Sequence, residues 1–233
     1  MSEFEFKHFS ISQENTAMKV GTDGVLLGAW SINTEGTILD IGTGTGLIAI
    51  MLAQRTKTAL IDAIEVERIA YQQAKENIQN CKWSNRIKAH HLPIQEFKSH
   101  KKYDTIISNP PFFTNSTKAP KTERNTARHT DNLSFNDLIE SVVRHLKPTG
   151  IFSLILPITE SEHFIELAIQ KHLFLNRKCI VQPNPTKPAK RVLMEFSFEQ
   201  KELIKETLII ETETRHQYTK EYISLTQDFY LKF

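Results

Sequence analysis

An Asn–Pro–Pro–Phe segment at residues 109–112 combines groups that could hold a planar nitrogen group. The run Thr105–Ile107 before it is apolar and β-branched, which predicts a buried strand. That strand must end at the prolines, because proline has no N–H to donate to a neighbouring strand. The turn would then hold still the Asn109 carboxamide, the Pro110 carbonyl and the Phe112 ring. Two acceptors and a ring suit an amide or amino group, although an ordinary turn at a strand end remains the alternative.

Three alternating glycines, Gly42, Gly44 and Gly46, lie between the β-rich run Thr37–Ile41 and a strongly apolar helical pattern at 47–53. Glycine tolerates positive φ and lets the backbone approach a ligand closely, and the first turn of the helix behind it offers unpaired N–H groups. The GxGxG spacing differs from the GxGxxG of nicotinamide-binding proteins. Taken alone, the turn is a weak indication of a nucleotide-like cofactor.

A carboxylate, Glu65, ends the next apolar run, Ala59–Ile64. An acidic residue at such a strand end is placed to hold the two hydroxyls of a ribose. Apolar runs and amphipathic patterns then alternate along the chain, which predicts an α/β fold with a parallel, doubly wound sheet. Ligands of such sheets bind at the carboxyl ends of the strands, so we expect the glycine turn, Glu65 and Asn109 to lie at one edge.

The remaining elements follow from hydrophobic period and turn residues. We predict helices at 67–79, 135–146, 160–172 and 218–229, and strands at 86–90, 151–156, 174–181, 190–198 and 206–212.

Two segments carry an excess of basic residues. The segment 113–129 is long for a connector and has four Lys or Arg against one Glu, and the stretch 177–194 has five and no acidic residue. A solvated surface would explain either segment alone. Together they favour a face that binds a polyanion. The basic residues that we predict to contact substrate are Lys118, Lys121, Arg124, Arg128, Lys187, Lys190 and Arg191.

Composition bounds the class of protein. The 233 residues suit one domain over 1–233, with 1–30 as an N-terminal lid or extension and 31–233 as the core. No apolar run is long enough to span a bilayer, and the two cysteines, Cys81 and Cys179, have no metal-binding spacing. A net charge of +2 is too small to indicate nucleic acid by itself. We expect a cytoplasmic monomer without a metal.

The strand with the segment Asp40–Gly46 that follows it, Glu65 and the segment Asn109–Phe112 together resemble the seven-stranded, class I S-adenosylmethionine-dependent methyltransferases. Further segments are similar to the bacterial tRNA1(Val) adenine-N6 methyltransferases, and this resemblance covers nearly the whole chain. The segments are Phe6–Phe9, Met18–Trp30, Asn109–Phe113 with Arg128–His129, and Asp228–Tyr230.

The resemblance implies a Rossmann-like sheet of seven strands, mostly parallel, with helices on both faces and an antiparallel last strand. It also implies S-adenosyl-L-methionine as cofactor and tRNA as partner, with methyl transfer to N6 of adenine 37, next to the anticodon of valine tRNA.

The residue roles implied by the resemblance are as follows. Catalysis is expected from Asn109, Pro110 and Phe112. Cofactor binding is expected from Asp40, Gly42, Gly44, Gly46, Glu65, Ile94 and Asn109, and substrate binding from Phe112, Phe113 and the basic residues named above. The wider class often has an acidic residue after the third strand to hold the cofactor adenine. Here Leu92–Gln95 occupies that place, so we expect the backbone of Ile94 or Gln95 to take the role.

Three other functions remain open. The same Asn–Pro–Pro–aromatic turn can methylate a glutamine amide in a release factor or N2 of guanine in ribosomal RNA. No sizeable recognition domain precedes the glycine turn, and no methyltransferase half is duplicated, which disfavours both. A catalytically silent RNA-binding module is the alternative from another class.

Overall fold

The computed structural model describes residues 3–14, 19–32, 35–111 and 133–233. The predicted substrate residues Phe112, Phe113, Lys118, Lys121, Arg124 and Arg128 lie outside these ranges. The α-helices of the described residues are α1 (Thr22–Trp30), α2 (Leu47–Arg55), α3 (Arg68–Asn80), α4 (Phe135–His145), α5 (Ile158–Gln170) and α6 (Lys220–Thr226). The strands are β1 (Glu3–Glu5), β2 (Ser10–Ser12), β3 (Thr37–Ile41), β4 (Leu60–Glu65), β5 (Ile87–His91), β6 (Tyr103–Ser108), β7 (Leu146–Pro157), β8 (Phe174–Gln182), β9 (Arg191–Ser197) and β10 (Ile204–Ile209).

Eight of these strands form one sheet in the order β10–β8–β9–β7–β6–β3–β4–β5. Strand β9 runs antiparallel to β7 and β8, and the other neighbouring pairs are parallel. The predicted Rossmann-like, mostly parallel sheet is confirmed, with a different strand count. The antiparallel strand, β9, is the seventh sheet strand along the chain, as expected, but it is not the last. Strand β10 follows it as an eighth, parallel to β8 at one side of the sheet. Strands β1 and β2 form a separate hairpin.

Helices cover both faces of the sheet, because successive strand residues point to opposite sides. On β3, Ile38 packs in a cluster with apolar side chains of α1, α2 and α6, whereas Leu39 packs in a second cluster with those of α4 and α5. The near-continuous apolar character of β3 and β6 follows from this burial on both faces.

Helix α1 is part of the first cluster. Its residues Val25, Leu26 and Leu27 are fully buried, as expected for a helix that is apolar all round. Gly28 permits the close approach of α1 to α2, since a Cβ at that position would lie 2.8 Å from Sδ of Met51. The segment that we predicted as a lid or extension therefore contains a helix packed into the core.

Two arginines hold the carboxyl-terminal end of α1. Arg55 donates to the carbonyls of Gly28 and Ser31 at 2.8 and 2.9 Å, and Arg177 donates to the carbonyl of Trp30 at 3.2 Å. These are carbonyls for which the helix itself has no donor, and the positive charges also suit the negative end of the helix dipole.

The added strand β10 also contributes to this contact. Its Glu206 accepts a hydrogen bond from the Trp30 indole at 2.8 Å, and the Arg177 guanidinium lies 4.0 Å from the Trp30 ring centroid. Arg177 also pairs with Glu206 at 3.1 Å and with the buried Glu195 at 3.5 Å. Strands β8, β9 and β10 thus fix the position of α1 on the sheet.

Candidate active site

The carboxyl ends of three adjacent parallel strands meet at one edge of the sheet. Ile41 at the end of β3 pairs with Ile64 of β4 on one side and with Ser108 of β6 on the other. Each strand end is followed directly by part of the predicted site. Gly42, the first residue of the glycine turn, follows Ile41, and Glu65 and Asn109 follow the other two residues. The prediction that they share an edge is confirmed.

The glycine turn has the backbone conformation that its sequence predicted. Gly42, Gly44 and Gly46 have φ values of +72°, +59° and +83°. The N–H groups of Gly42 and Thr43 both donate to the carbonyl of Ile64 at 2.9 Å, which fixes the turn on β4. A Cβ added at Gly42 or Gly44 would meet no atom within 4 Å. The turn therefore borders open space in which a ligand could approach the backbone closely.

Asn77 of α3 supports the same turn from behind. Its buried side-chain amide donates to the carbonyls of Thr45 and Ser12, each at 2.9 Å, and its oxygen accepts from Ser12 N–H at 3.0 Å. One side chain thus joins the turn to strand β2. Sequence reasoning missed this residue, because a polar position on a helix gives no indication of its partner.

Glu65 is held by backbone groups. Its Oε2 accepts from the N–H of Gly44 at 2.9 Å, and its Oε1 accepts from the N–H groups of Val66 and Glu67, both at 2.9 Å. A carboxylate offers about four acceptor sites, so three are in use. One ribose hydroxyl could be added directly, and a second would replace one of the present N–H groups.

Asp40 is fully buried beneath the glycine turn. Its Oδ2 accepts from the Thr43 hydroxyl at 2.6 Å, and its Oδ1 makes no well-aligned hydrogen bond among the described residues. The backbone N–H of Ala49 is close enough to the carboxyl to lower its pKa, as Thr43 does. Burial raises the pKa of Asp40 to about 7, and the charge of Glu65 acts in the same direction. A buried carboxylate with one unsatisfied oxygen is suited to receive a cationic group.

Asn109 lies directly after β6 and is partly buried. Its Oδ1 is a buried atom without a hydrogen-bond partner among the described residues. Its Nδ2 faces the first turn of α1, where a Cβ built at Gly24 would lie 4.0 Å away. An unsatisfied buried acceptor costs about 1–3 kcal/mol unless a ligand satisfies it. The carboxamide can therefore accept an N–H from a bound amide or amino group.

The neighbours of Asn109 differ in exposure. Pro110 is buried, whereas Pro111 is exposed. The predicted stacking residue Phe112 lies outside the described residues, so its role stays a prediction.

The loop after β5 lies next to Glu65. Leu92 N–H donates to the carbonyl of Glu65 at 3.1 Å, and Ile94, in a 3-10 helix, is buried. The carbonyl of Ile94 accepts from Phe97 N–H at 3.1 Å and that of Gln95 accepts from Arg144 at 3.2 Å, so both residues stay candidates for the cofactor adenine.

Sequence reasoning overlooked an apolar and aromatic group beside Glu65. Val66 is 38% exposed, and its carbonyl lies 3.1 Å from Nε2 of His91 at the end of β5. The His91 ring stacks on Tyr71 of α3 with centroids 5.0 Å apart. The sequence feature that could have indicated Val66 is its position: it is an apolar residue directly after Glu65, the acidic residue at the end of β4.

The basic residues of the β8–β9 loop lie at the same edge as Asn109, because β8 is parallel to β6 and the loop follows its carboxyl end. Lys187 and Lys190 are exposed. Arg191 is less exposed and forms an ion pair with Asp23 of α1, with Nε 2.7 Å from Oδ2. Arg191 therefore links β9 to α1 and also places a basic group at this edge of the sheet.

Within the described ranges, no three His, Cys, Asp or Glu side chains are grouped as metal ligands would be. None of the helices in those ranges combines the length and apolarity that a membrane span requires.

Comparisons with known proteins agree with this geometry. A family profile described as the methyltransferase small domain matches residues 16–176. A tRNA1(Val) (adenine(37)-N6)-methyltransferase of Trichodesmium erythraeum is 47% identical over 100% of this chain and 99% of its own. A protein of the same name from Bacteroides fragilis is 46% identical over 98% of each chain.

A solved structure supports the fold. The crystal structure of a predicted O-methyltransferase from Agrobacterium tumefaciens aligns with a TM-score of 0.71 over 89% of this chain and 96% of that chain, at 19% identity. With full-length relatives at 46–47% identity, the chain belongs to the tRNA1(Val) (adenine(37)-N6)-methyltransferase family.

Proposed function

We propose that this protein transfers a methyl group from S-adenosylmethionine to the exocyclic N6 of an adenine in tRNA, at position 37 of valine tRNA. The observation that carries the proposal is the buried, unpartnered Oδ1 of Asn109 at the edge that also holds the glycine turn and Glu65. The activity named for the full-length relatives supports the choice of substrate.

The residues at this edge fit S-adenosylmethionine. The open space at Gly42 and Gly44 admits the methionine portion, and the unsatisfied Oδ1 of Asp40 lies beneath that turn. Glu65 has a remaining acceptor site for a ribose hydroxyl, and Ile94 and Gln95 are our candidates for the adenine. When bound, S-adenosylmethionine supplies a methyl group on a positively charged sulfur, and the sulfur keeps the electron pair of the broken bond.

The side chains then act on the adenine amino group. Its nitrogen is a poor nucleophile because its lone pair is delocalised into the ring. Asn109 Oδ1 accepts one N–H and the Pro110 carbonyl accepts the other, which favours a pyramidal nitrogen with an available lone pair. The same acceptors stabilise the positive charge that develops on N6, and one N6 proton then leaves to solvent. Fixed alignment supplies much of the remaining rate.

Substrate recognition requires a base that has left its stack. Phe112 would stack on this base, a contact worth about 1–3 kcal/mol. Lys187 and Lys190 lie exposed at the same edge and would contact phosphates of the anticodon arm. We expect a monomer that acts in the cytoplasm, where tRNA is modified.

The test is a methyl-transfer assay with labelled S-adenosylmethionine. Unmodified tRNA, ribosomal RNA and a release factor are supplied separately, and labelled RNA is digested for nucleoside mass spectrometry. N6-methyladenosine at position 37 of tRNA is the expected product. Label in release factor or in N2-methylguanosine would assign another substrate. Cofactor binding without label in any of the three would contradict the proposed reaction.

The same assay tests the role of Asn109. Asn109→Ala should lower kcat about 100-fold or more, since it removes an acceptor directed at developing charge. Its affinity for S-adenosylmethionine, measured by calorimetry, should fall much less than kcat, because the glycine turn, Asp40 and Glu65 remain to hold the cofactor. Asn80→Ala, at an exposed position at the end of α3, is the matched control and should keep the wild-type kcat. An Asn109→Ala variant with near wild-type turnover would exclude the proposed role.

A further inference from the structure

We infer that Gly24, in the first turn of α1, is a positioning residue for the Asn109 carboxamide. Gly24 lies between Leu47 and Asn109, and its lack of a side chain leaves room for both. This role rests on the proposed function of Asn109, and the experiment below separates the two.

Gly24 lies between two parts of the site. A Cβ built on its backbone would lie 3.1 Å from Cδ2 of Leu47 and 4.0 Å from Nδ2 of Asn109. Leu47 is the first residue of α2, directly after the glycine turn, and it is 5% exposed. A carbon–carbon contact of 3.1 Å is tighter than nine in ten contacts of real Cβ atoms, so a methyl group here displaces Leu47 or the first turn of α1 by a few tenths of an ångström.

Helix α1 has little freedom to absorb the displacement. Asp23 binds Arg191 at 2.7 Å next to Gly24, and the carboxyl-terminal end of α1 is bound by Arg55 and Arg177. The residues between these contacts are buried. A small shift at Gly24 is therefore transmitted to its neighbours, and Asn109 is one of them.

The orientation of the Asn109 amide is the property at risk. A carboxamide favours attack by an amino group only if its oxygen, and not its NH2 group, faces that group. In the structure Nδ2 is on the Gly24 side, and Oδ1 is the unpartnered atom. Gly24 presents no side chain to that nitrogen, whereas a methyl group at this position would stand in van der Waals contact with it. Because α1 is held at both ends, the shift at Gly24 falls on its neighbours, and the amide would rotate or move away from the reactive geometry.

The experiment compares alanine at three glycines of one segment. Gly24→Ala should lower kcat for tRNA methylation by about four- to tenfold, because a misplacement of about 1 Å can cost 100-fold and the shift expected here is a few tenths of an ångström. Its KM for tRNA should stay within about twofold of wild type. Gly21→Ala is the matched control, because a Cβ at Gly21 meets no atom closer than 3.8 Å. Gly28→Ala would contact Met51 and should lower the melting temperature while kcat, measured well below that temperature, is unchanged.

A double variant tests whether Gly24→Ala acts through its contact with Leu47, and it covers the case in which Gly24→Ala does not fold. Leu47→Val removes the Cδ2 atom that the new methyl group would contact. Gly24→Ala/Leu47→Val should therefore recover kcat to within about 1.5-fold of Leu47→Val alone. A folded double variant that is as impaired as Gly24→Ala would contradict the claim that contact with Leu47 displaces Asn109.

Asn109→Ala and wild type are assayed in parallel. If wild type forms no N6-methyladenosine, or Asn109→Ala keeps full turnover, the proposed function fails. If these two behave as expected and Gly24→Ala has the same kcat as Gly21→Ala, only the present inference fails.

Discussion

Asp23 Oδ2 accepts a hydrogen bond from Nε of Arg191 at 2.7 Å, between residues 168 positions apart in the chain. The pair joins the first turn of α1 to the start of β9. Because Arg191 pairs with Pro157 at the carboxyl end of β7, this link lies at the same edge as Asn109. An ion pair thus connects the N-terminal helix to the strand end beside the β8–β9 loop.

We predict a small but measurable stabilisation from this pair. The side chains are 30% and 24% exposed, so solvent screens their attraction and the coupling should be about 0.5–1 kcal/mol. A double-mutant cycle with Asp23→Asn and Arg191→Gln, followed by urea unfolding, measures this energy. Additive effects of the two changes would mean that the pair contributes nothing to the free energy of unfolding.

The second prediction concerns RNA affinity. Lys187→Ala/Lys190→Ala should weaken tRNA binding and reduce the slope of log K against log salt by about 1–2, since each lost phosphate contact removes about 0.9 from it. Filter binding of unmodified tRNA from 50 to 200 mM salt gives both quantities. The affinity for S-adenosylmethionine should not change.

Lys201 and Lys205 provide the matched control for this pair of changes. Both are exposed, but they lie at the amino end of β10, at the opposite edge of the sheet. Lys201→Ala/Lys205→Ala removes the same charge and should leave the salt slope near the wild-type value. Equal losses in the two double variants would indicate a general charge effect instead of a binding face.

The third prediction is a pH dependence of cofactor affinity. Burial raises the pKa of Asp40 to about 7, so the unliganded protein carries a mostly protonated Asp40 at pH 6 and a mostly ionised one at pH 8. The ionised form attracts the cationic methionine portion. Affinity for S-adenosylmethionine should therefore rise about tenfold between these pH values. Calorimetry in two buffers of different ionisation enthalpy should also detect proton release at pH 6.

Asp40→Asn tests the assignment. This variant should bind more weakly at pH 8 and should lose the pH dependence. The unfolding free energy gives an independent measurement. Since the folded pKa lies above the value of 3.8 for an exposed group, wild type should lose stability relative to Asp40→Asn as the pH rises from 4 to about 7. A flat difference across this range would contradict the raised pKa.

The fourth prediction concerns the contact that holds α1. Arg177 neutralises Glu195, which is 2% exposed, so Arg177→Ala leaves a buried carboxylate with less compensation. We expect a loss of about 3 kcal/mol in the free energy of unfolding at pH 7, at the low end of such losses because the charge of Arg55 remains nearby. Urea unfolding measures it.

The pH dependence of that loss identifies its cause. Burial already raises the pKa of Glu195, and removal of Arg177 should raise it further. A group with a raised folded pKa costs least stability at low pH, so the loss should be smaller at pH 5 than at pH 7. Arg177→Ala/Glu195→Gln should recover part of it. A loss of equal size at both pH values would indicate that the Trp30 contact, and not the charge, is responsible.

Local sequence was sufficient for the central part of the site. The glycine turn, Glu65 and Asn109 were predicted at one edge because parallel strands bring their carboxyl ends together, whatever the order of the strands. The N-cap of α4 is equally local, since the Ser134 hydroxyl accepts from Asp137 N–H at 3.1 Å. These features depend on residues near one another in the chain and on geometry common to all such sheets.

Only the tertiary structure decided the features that depend on distant partners. Strand β9 lies between β7 and β8, β10 adds an eighth strand, and Glu206 of that strand binds Trp30, which is 176 positions earlier. Gly24 has a neighbour in Asn109, and Arg191 has one in Asp23. Hydrophobic period specifies which face of an element is buried, but it does not specify which element covers that face. The residue types of the candidate site were therefore predictable from sequence, and the contacts that hold them in position were not.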